Sequence, residues 1–228
     1  MISNETLSKA VKASILLESK KKKSDDALVE PVITKIRLIF TAKVIPSSKK
    51  VSPITIPIKN TFRTNASVCV ITKDPQSDYK HAILDDVSLG RVSKVMGVSK
   101  LSKKHSTYML KRQLSKSYDL FLADERVVTL LPKLLGKAFF KTKRIPVPVD
   151  MTKKARWSER INKAIDSTYY FQSTGSCTNV VIGNVSMTKE QLIENAKDVI
   201  DFVQRKILVK GIACVDMQAD NCLSIPLM

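Results

Sequence analysis

The chain has 228 residues, of which 43% are hydrophobic and 26% charged, proportions that exclude a mainly disordered or fibrous protein and suit one large or two small domains. Its formal charge of +18 points to a polyanionic partner. No apolar run reaches the roughly 18–20 residues of a membrane helix, and the opening MISNETLSKA lacks the apolar core of a signal peptide, so a soluble intracellular protein with no membrane partner is expected.

From the N-terminus, Leu7, Ala10, Val11 and Ile15 recur at helical spacing behind Ser3 or Asn4 as a cap. Lys20–Lys23, followed by Ser24, Asp25 and Asp26, reads as an exposed turn; the basic run also has the composition of a nuclear localisation signal. From Thr34 the period changes to two. Ile36, Leu38, Phe40 and Ala42 point one way and Lys35, Arg37, Ile39 and Thr41 the other, which predicts a half-buried strand. After a Pro/Ser/Lys stretch from Pro46 to Pro53, Ile54, Ile56 and Ile58 alternate in a second strand that Pro57 confines to a sheet edge or ends.

A different kind of strand starts at Ser67. Val68–Ile71 and Leu120–Ala123 are continuously apolar, as in strands covered on both faces of a parallel sheet. Helix-like stretches lie between and after them, including Val127 to Leu135, interrupted by Pro132 and closed by Gly136. Residues 63–147 therefore read as a small three-layer α/β unit with a basic, proline-punctuated exit from Lys141 to Pro148. The remainder of the chain is patterned like its N-terminal segment. Val180–Ile182 is a short strand, and Thr188 with Gln191 forms a capping box. Leu192, Ile193, Ala196, Val199, Ile200, Val203 and Ile207 outline one face of a long helix, and a strand over Gly211–Val215 follows. The economical organisation is a discontinuous domain, 1–62 with 148–228, interrupted by an inserted domain at 63–147.

Charge follows this division. Residues 91–163 carry 19 basic and 5 acidic groups, whereas 164–228 carry 5 basic and 7 acidic. Between Asp86 and Asp119 there are eight cations and no acidic residue: Arg91, Lys94, Lys100, Lys103, Lys104, Lys111, Arg112 and Lys116. Such a segment repels itself unless an anion neutralises it, and a phosphate backbone is the usual partner; a solvated basic face is the bland alternative. Phe62, Phe139, Phe140 and Trp157 are interleaved with lysines and arginines and could stack on unpaired bases, or pack in the core.

Catalytic signals are thin. Cys69, Cys177, Cys214 and Cys222 stand singly, with no C-x-x-C, and His81 and His105 complete no zinc set. Asp74, Asp124 and Glu125 follow the two buried strands, where α/β units place ligands, but helix capping accounts for them as well. Six glycines include no phosphate-binding loop. No enzyme, cofactor or metal is expected.

Particular residues then carry a resemblance. Tyr118-Asp119-Leu120-Phe121-Leu122-Ala123-Asp124, Leu130-Leu131-Pro132, Leu134-Leu135-Gly136, Lys143-Arg144-Ile145-Pro146-Val147-Pro148, Val181-Ile182-Gly183-Asn184 and Met187–Leu192 with Asn195 resemble, in order, the ribosomal protein L1 family. The resemblance implies a two-domain α/β fold, with a discontinuous domain I and an inserted, Rossmann-like domain II. Where ribosomal members carry Thr-Met-Gly-Pro, this chain has Asp220-Asn221-Cys222-Leu223; Gly136–Phe140 stands in place of their Gly-Pro-Arg-Gly, and Ile56-Pro57-Ile58 in place of Leu-Pro-His. Ile71-Thr72-Lys73-Asp74 and Ser173-Thr174-Gly175-Ser176-Cys177 are similar to the eukaryotic nucleolar branch, the L1-domain ribosome-biogenesis factors. This implies a non-enzymatic factor in the nucleus and nucleolus, monomeric within a large ribonucleoprotein. It would bind pre-rRNA beside other assembly factors and ribosomal proteins. The expected RNA contacts are Thr41, Lys43, Lys49, Lys50, Asn221 and Ser224 in domain I, and Lys137, Lys141, Lys143 and Arg144 in domain II. The alternative is a divergent stalk protein of the mature large subunit.

Overall fold

A computed structural model describes residues 4–24, 34–45, 53–172, 175–209, 211–220 and 222–227. In chain order the first elements are α1 (Asn4–Ser24), β1 (Lys35–Ala42) and β2 (Ile54–Pro57). Then follow β3 (Val68–Thr72), α2 (Gln76–Leu84), β4 (Val92–Gly97), α3 (Val98–Lys104), α4 (Tyr108–Ser117), β5 (Leu120–Asp124), α5 (Leu131–Leu135), α6 (Lys137–Phe140), β6 (Val147–Val149) and α7 (Trp157–Ile165). The chain closes with β7 (Ser167–Tyr170), β8 (Cys177–Asn184), α8 (Lys189–Phe202, continued by a π-helical turn to Ile207), β9 (Ile212–Ala219) and β10 (Ser224–Pro226). Two compact units result: residues 1–62 with 166–228, and the inserted residues 63–165.

In the discontinuous unit an antiparallel sheet of order β10-β9-β1-β8 is covered on one face by α1 and α8. Leu7, Ala10 and Val11 of α1 and Leu192, Ala196 and Val199 of α8 meet Ile36, Leu38 and Phe40 of β1 in the core. Complete burial of each leucine, isoleucine, valine or phenylalanine among them is worth about 1.5–3 kcal/mol. The alternation expected along β1 is present, with Ile36, Leu38, Phe40 and Ala42 inward and Arg37, Ile39 and Thr41 half-buried on the open face. Helix α1 continues through Lys20–Lys23, where a turn was expected, because lysine favours helix and no breaker precedes Ser24. At the start of α8, Thr188 accepts from the Gln191 N–H while the Gln191 side chain accepts from the Thr188 N–H. Gly183 permits the close approach of that helix to β8: a Cβ there would lie 2.6 Å from Leu192 Cδ2 and 2.8 Å from Met187 Sδ. Buried Asn195 donates to the Asn60 and Ile182 carbonyls and accepts from the Asn60 N–H, fixing the end of the first chain segment.

The inserted unit has a fully parallel sheet, β4-β3-β5-β6. Every residue of β3 and β5 is buried, as their unbroken apolar runs require. The compact unit runs on past the expected boundary at 147. β6 is the fourth strand, its Pro148 tolerated because the strand is at the edge. Helix α7 buries Trp157, Ile161, Ala164 and Ile165 against β5 and β6. Arg160 Nη1 donates to the Asp150 carbonyl at 2.8 Å, and Asn162 links Ser88 and Arg91. Pro132 lies in the first turn of α5, where its missing N–H costs nothing, so it starts that helix; Val127–Leu130 is a turn. Gly136, at φ +59°, ends it.

Candidate nucleic-acid interface

The open face of the antiparallel sheet is built by register. Thr41 lies between Cys177 and Cys214, Ile39 between Asn179 and Asp216, and Arg37 between Val181 and Gln218, with Ser224 beyond Gln218 on the edge strand. Thr41 Oγ1 is 3.6 Å from Cys177 Sγ, and Cys214 Sγ donates to Asp216 Oδ1 at 3.1 Å. That hydrogen bond raises the Cys214 pKa, with smaller contributions from burial and the Asp216 charge, so the thiol stays neutral. Arg37 pairs with Asp220, whose other oxygen accepts from the Lys35 N–H. Lys43 is exposed just past β1, and its stem crosses Gly211. Those of the expected contacts in this unit that lie among the described residues do not form one cluster. Thr41 and Lys43 are at one end of β1, while Ser224 is level with Arg37, about 13 Å away along the strand. Lys49, Lys50 and Asn221 lie outside the described residues.

The inserted unit concentrates the charge: 22 basic against 9 acidic residues over 63–165. Several of its arginines have partners. Arg126, Arg144 and Arg160 are bound within the protein. Arg126 holds the buried Asp124 through Nε at 3.2 Å and Nη2 at 3.0 Å and donates to the Met151 carbonyl, and Asp124 in turn raises the Arg126 pKa. Arg144 Nη1 donates to the Ser115 and Tyr118 carbonyls at the end of α4. It is therefore a helix brace, a role its position in a basic exit did not reveal. By contrast, Lys137, Lys141 and Lys143, also exposed, form no ion pair or side-chain hydrogen bond among the described residues. Lys137 and Lys141 are four residues apart, on one side of the short helix α6, and Lys143 adopts φ +56° in the loop that follows. The backbone there is tied down by Arg144 N–H to Phe139 O and by Thr142 Oγ1 to Ala138 O.

Helix α6 packs against α4, and the Arg144 brace joins the loop to the end of α4. Leu114 and Ser115 are the buried residues of α4; Arg112 and Lys116 are exposed and Lys111 is half-buried. Among the described residues none of these three cations forms an ion pair or side-chain hydrogen bond. Lys137, Lys141 and Lys143 thus belong to an element, and the loop after it, that packs on the helix carrying Lys111, Arg112 and Lys116. The α4 cations were visible in the sequence as charge without an acidic counterpart; their position beside α6 required the fold.

Aromatic side chains fall out differently from the expected stacking set. Phe139 and Trp157 are core residues, Phe140 packs against that core, and Phe62 is half-buried. Phe121 and Phe139 meet edge-on at 4.9 Å, and Trp157 stacks on Tyr79 at 4.8 Å and donates to the Met151 carbonyl. The exposed aromatic residue is Tyr108 on α4.

The acidic strand ends have local duties. Asp74 Oδ2 accepts from the Ser99 N–H and Oγ, and Asp124 is neutralised by Arg126. A shallow cavity of about 300 Å³ remains beside them, lined by Lys73, Asp74, Val98, Arg126, Val127 and Leu130. Burial pushes the Cys69 thiol up to about 12, against the opposing effect of Lys94, which leaves it an inert core residue.

Comparison with known sequences places the chain among relatives. The family model described as the ribosomal protein L1p/L10e family matches residues 12–219. The chain belongs to the L1 family. It is 36% identical to a ribosome biogenesis protein of Schizosaccharomyces pombe, over 99% of this chain and 60% of that protein. With the mouse ribosomal L1 domain-containing protein 1 the identity is 25%, over 99% of this chain and 51% of the relative. With large ribosomal subunit protein uL1 of Neurospora crassa it is 32%, over 69% and 67%. The chain thus spans about half to two-thirds of the length of these L1-family relatives.

Proposed function

We propose that this chain is a non-catalytic RNA-binding factor of ribosome assembly, which docks on pre-rRNA in pre-ribosomal particles and supports rRNA processing. The observation that carries this reading is the set of six cations on two packed helices, α4 and α6, and the loop that follows. Like charges gathered on a surface repel one another, and a phosphate backbone offsets the repulsion while releasing its own counterions. The name of the S. pombe relative supplies the process. In this reading Lys137, Lys141, Lys143 and the outer part of Arg144 meet phosphates. The sheet unit contributes Thr41, Lys43, Lys49, Lys50, Asn221 and Ser224. Phosphate contacts give salt-dependent affinity, and the loops and open sheet face give shape selectivity. The protein acts without cofactor or metal, in the nucleus and nucleolus, as a monomer among assembly factors and ribosomal proteins.

A second reading, a structural protein of the mature large subunit, draws on the similarity to uL1. Sequencing of RNA crosslinked to the protein in cells, alongside its sedimentation profile, separates the two. Precursor spacers in pre-ribosomal fractions support assembly; mature stalk rRNA in polysomes supports the structural reading; absence of RNA refutes both. In vitro, charge reversal at Lys137, Lys141 and Lys143 is expected to weaken RNA binding. Unchanged affinity at moderate salt would remove these residues from the interface.

A further inference from the structure

Helix α4 has a feature that phosphate binding alone does not explain. Its first three residues, Tyr108, Met109 and Leu110, are large, apolar and 57%, 67% and 39% exposed, at the start of a helix otherwise rich in cations. Sequence patterning would normally place such side chains inward, yet Leu114 and Ser115 are the residues that α4 buries. Tyr108, Arg112 and Lys116 recur every fourth residue and so form one stripe. Successive members are about 6 Å apart along the axis, comparable to the separation of neighbouring phosphates in an extended strand. Lys111 flanks the stripe on the side toward the core. The field at its upper end is positive as well. The helix has no acidic residue in its first turn, and the Thr107 side chain makes no capping bond. Lys103 and Lys104 end the preceding helix.

We infer that the Tyr108–Arg112–Lys116 stripe of α4 is a binding site for single-stranded RNA, in which Tyr108 stacks on an unpaired base and Arg112 and Lys116 hold flanking phosphates. This inference rests on the RNA-binding reading above and adds to it the strandedness of the ligand and the residue that senses it. A duplex hides its base faces and offers Tyr108 nothing to stack on, whereas a single strand offers a π-face at every nucleotide. Met109 and Leu110 widen the apolar platform beside the ring. A protein or membrane partner fits less well. The stripe has one ring followed by regularly spaced cations, and the exposed apolar side chains are confined to the first turn.

The test uses the full chain and two fluorescent probes, a 12-nucleotide single-stranded uridine RNA and a blunt RNA duplex of equal length, titrated at several salt concentrations. Tyr108→Ala is expected to weaken single-strand binding by about tenfold, within the range for loss of one stacking contact, and to leave duplex binding unchanged. Tyr108→Phe keeps the ring and is expected to bind as the parent does. Arg112→Gln with Lys116→Gln is expected to flatten the salt dependence on the single strand by about 1.4 in log–log slope. All three side chains are solvent-exposed, so the variants should fold; the Trp157 emission of the same unit checks this. Equal single-strand affinity of Tyr108→Ala and the parent would overturn the inference and leave the RNA-binding reading intact. Equal loss on both probes would reduce α4 to a phosphate contact and overturn it too. A parent chain that binds neither probe nor extracted rRNA would sink the reading itself.

Discussion

The Asp124–Arg126 pair offers the most demanding test of how the inserted unit is held together. The Asp124 side chain is 1% exposed at the end of a fully buried strand, and Arg126 is 45% exposed. Asp124 accepts from the Arg126 backbone N–H at 3.1 Å, and the guanidinium adds contacts at 3.2 and 3.0 Å. Arg126→Met removes the guanidinium and leaves a buried carboxylate with the backbone N–H as its remaining donor in this set. Breaking a buried pair costs about 3–5 kcal/mol. Because one end of this pair reaches solvent, the lower figure of about 3 kcal/mol is expected. In Asp124→Asn with Arg126→Met, the amide oxygen still accepts from the backbone and no charge is stranded, so the expected loss is about 1 kcal/mol. Trp157, the one tryptophan of the chain, donates to the same Met151 carbonyl as Arg126. Its fluorescence therefore reports on this unit during urea unfolding. With a slope of about 2 kcal/mol/M, the single variant should move the midpoint by about 1.5 M and the double by about 0.5 M. A shift below about 0.3 M for the single variant, or a double variant as damaged as the single, would refute the account of Asp124 as a charge that depends on its partner.

Other expectations concern smaller features. Arg144→Ala strands the Ser115 and Tyr118 carbonyls and should lower the urea midpoint of the inserted unit, whereas Lys141→Ala, on exposed surface, should not; RNA titration would show losses for both. Thr188→Ala opens the capping box of α8 and should cost about 1 kcal/mol, visible in far-UV circular dichroism but not in Trp157 emission, which belongs to the other unit. Burial, with help from Lys94 and Lys104, holds the His105 imidazole below its ordinary value of 6.5. Protonation therefore favours the unfolded chain. The inserted unit should lose stability as pH falls from 7.5 to 5.5, and His105→Asn should flatten that dependence in urea midpoints measured at both values.

Much of this architecture is legible residue by residue. The alternation of Ile36, Leu38, Phe40 and Ala42 declared a half-buried strand, and the unbroken Val68–Ile71 and Leu120–Ala123 runs declared strands covered on both sides, because side-chain period and burial are local properties of the backbone. The Thr188/Gln191 box and the closing Gly136 mark helix ends for the same reason. The cation excess of the inserted segment is likewise a matter of counting. What the chain order hid depends on distance in space. The helix of Lys137 and Lys141 comes against the helix of Arg112 and Lys116 because α6 packs on α4, across more than twenty residues of sequence. Arg144 and Lys143 are adjacent in the chain and both exposed, yet Arg144 braces helix carbonyls while Lys143 makes no side-chain hydrogen bond among the described residues. Trp157 and Phe139 sit among the lysines in sequence and in the core in space; Tyr108 opens a short apolar run and stands in solvent. Composition set the sign of the chain's net charge, since adding charges needs no geometry. Which cations are tied to the protein's own groups was decided by tertiary packing, which holds Arg126 on a buried carboxylate and Arg144 on helix carbonyls and leaves Lys137, Lys141 and Lys143 exposed.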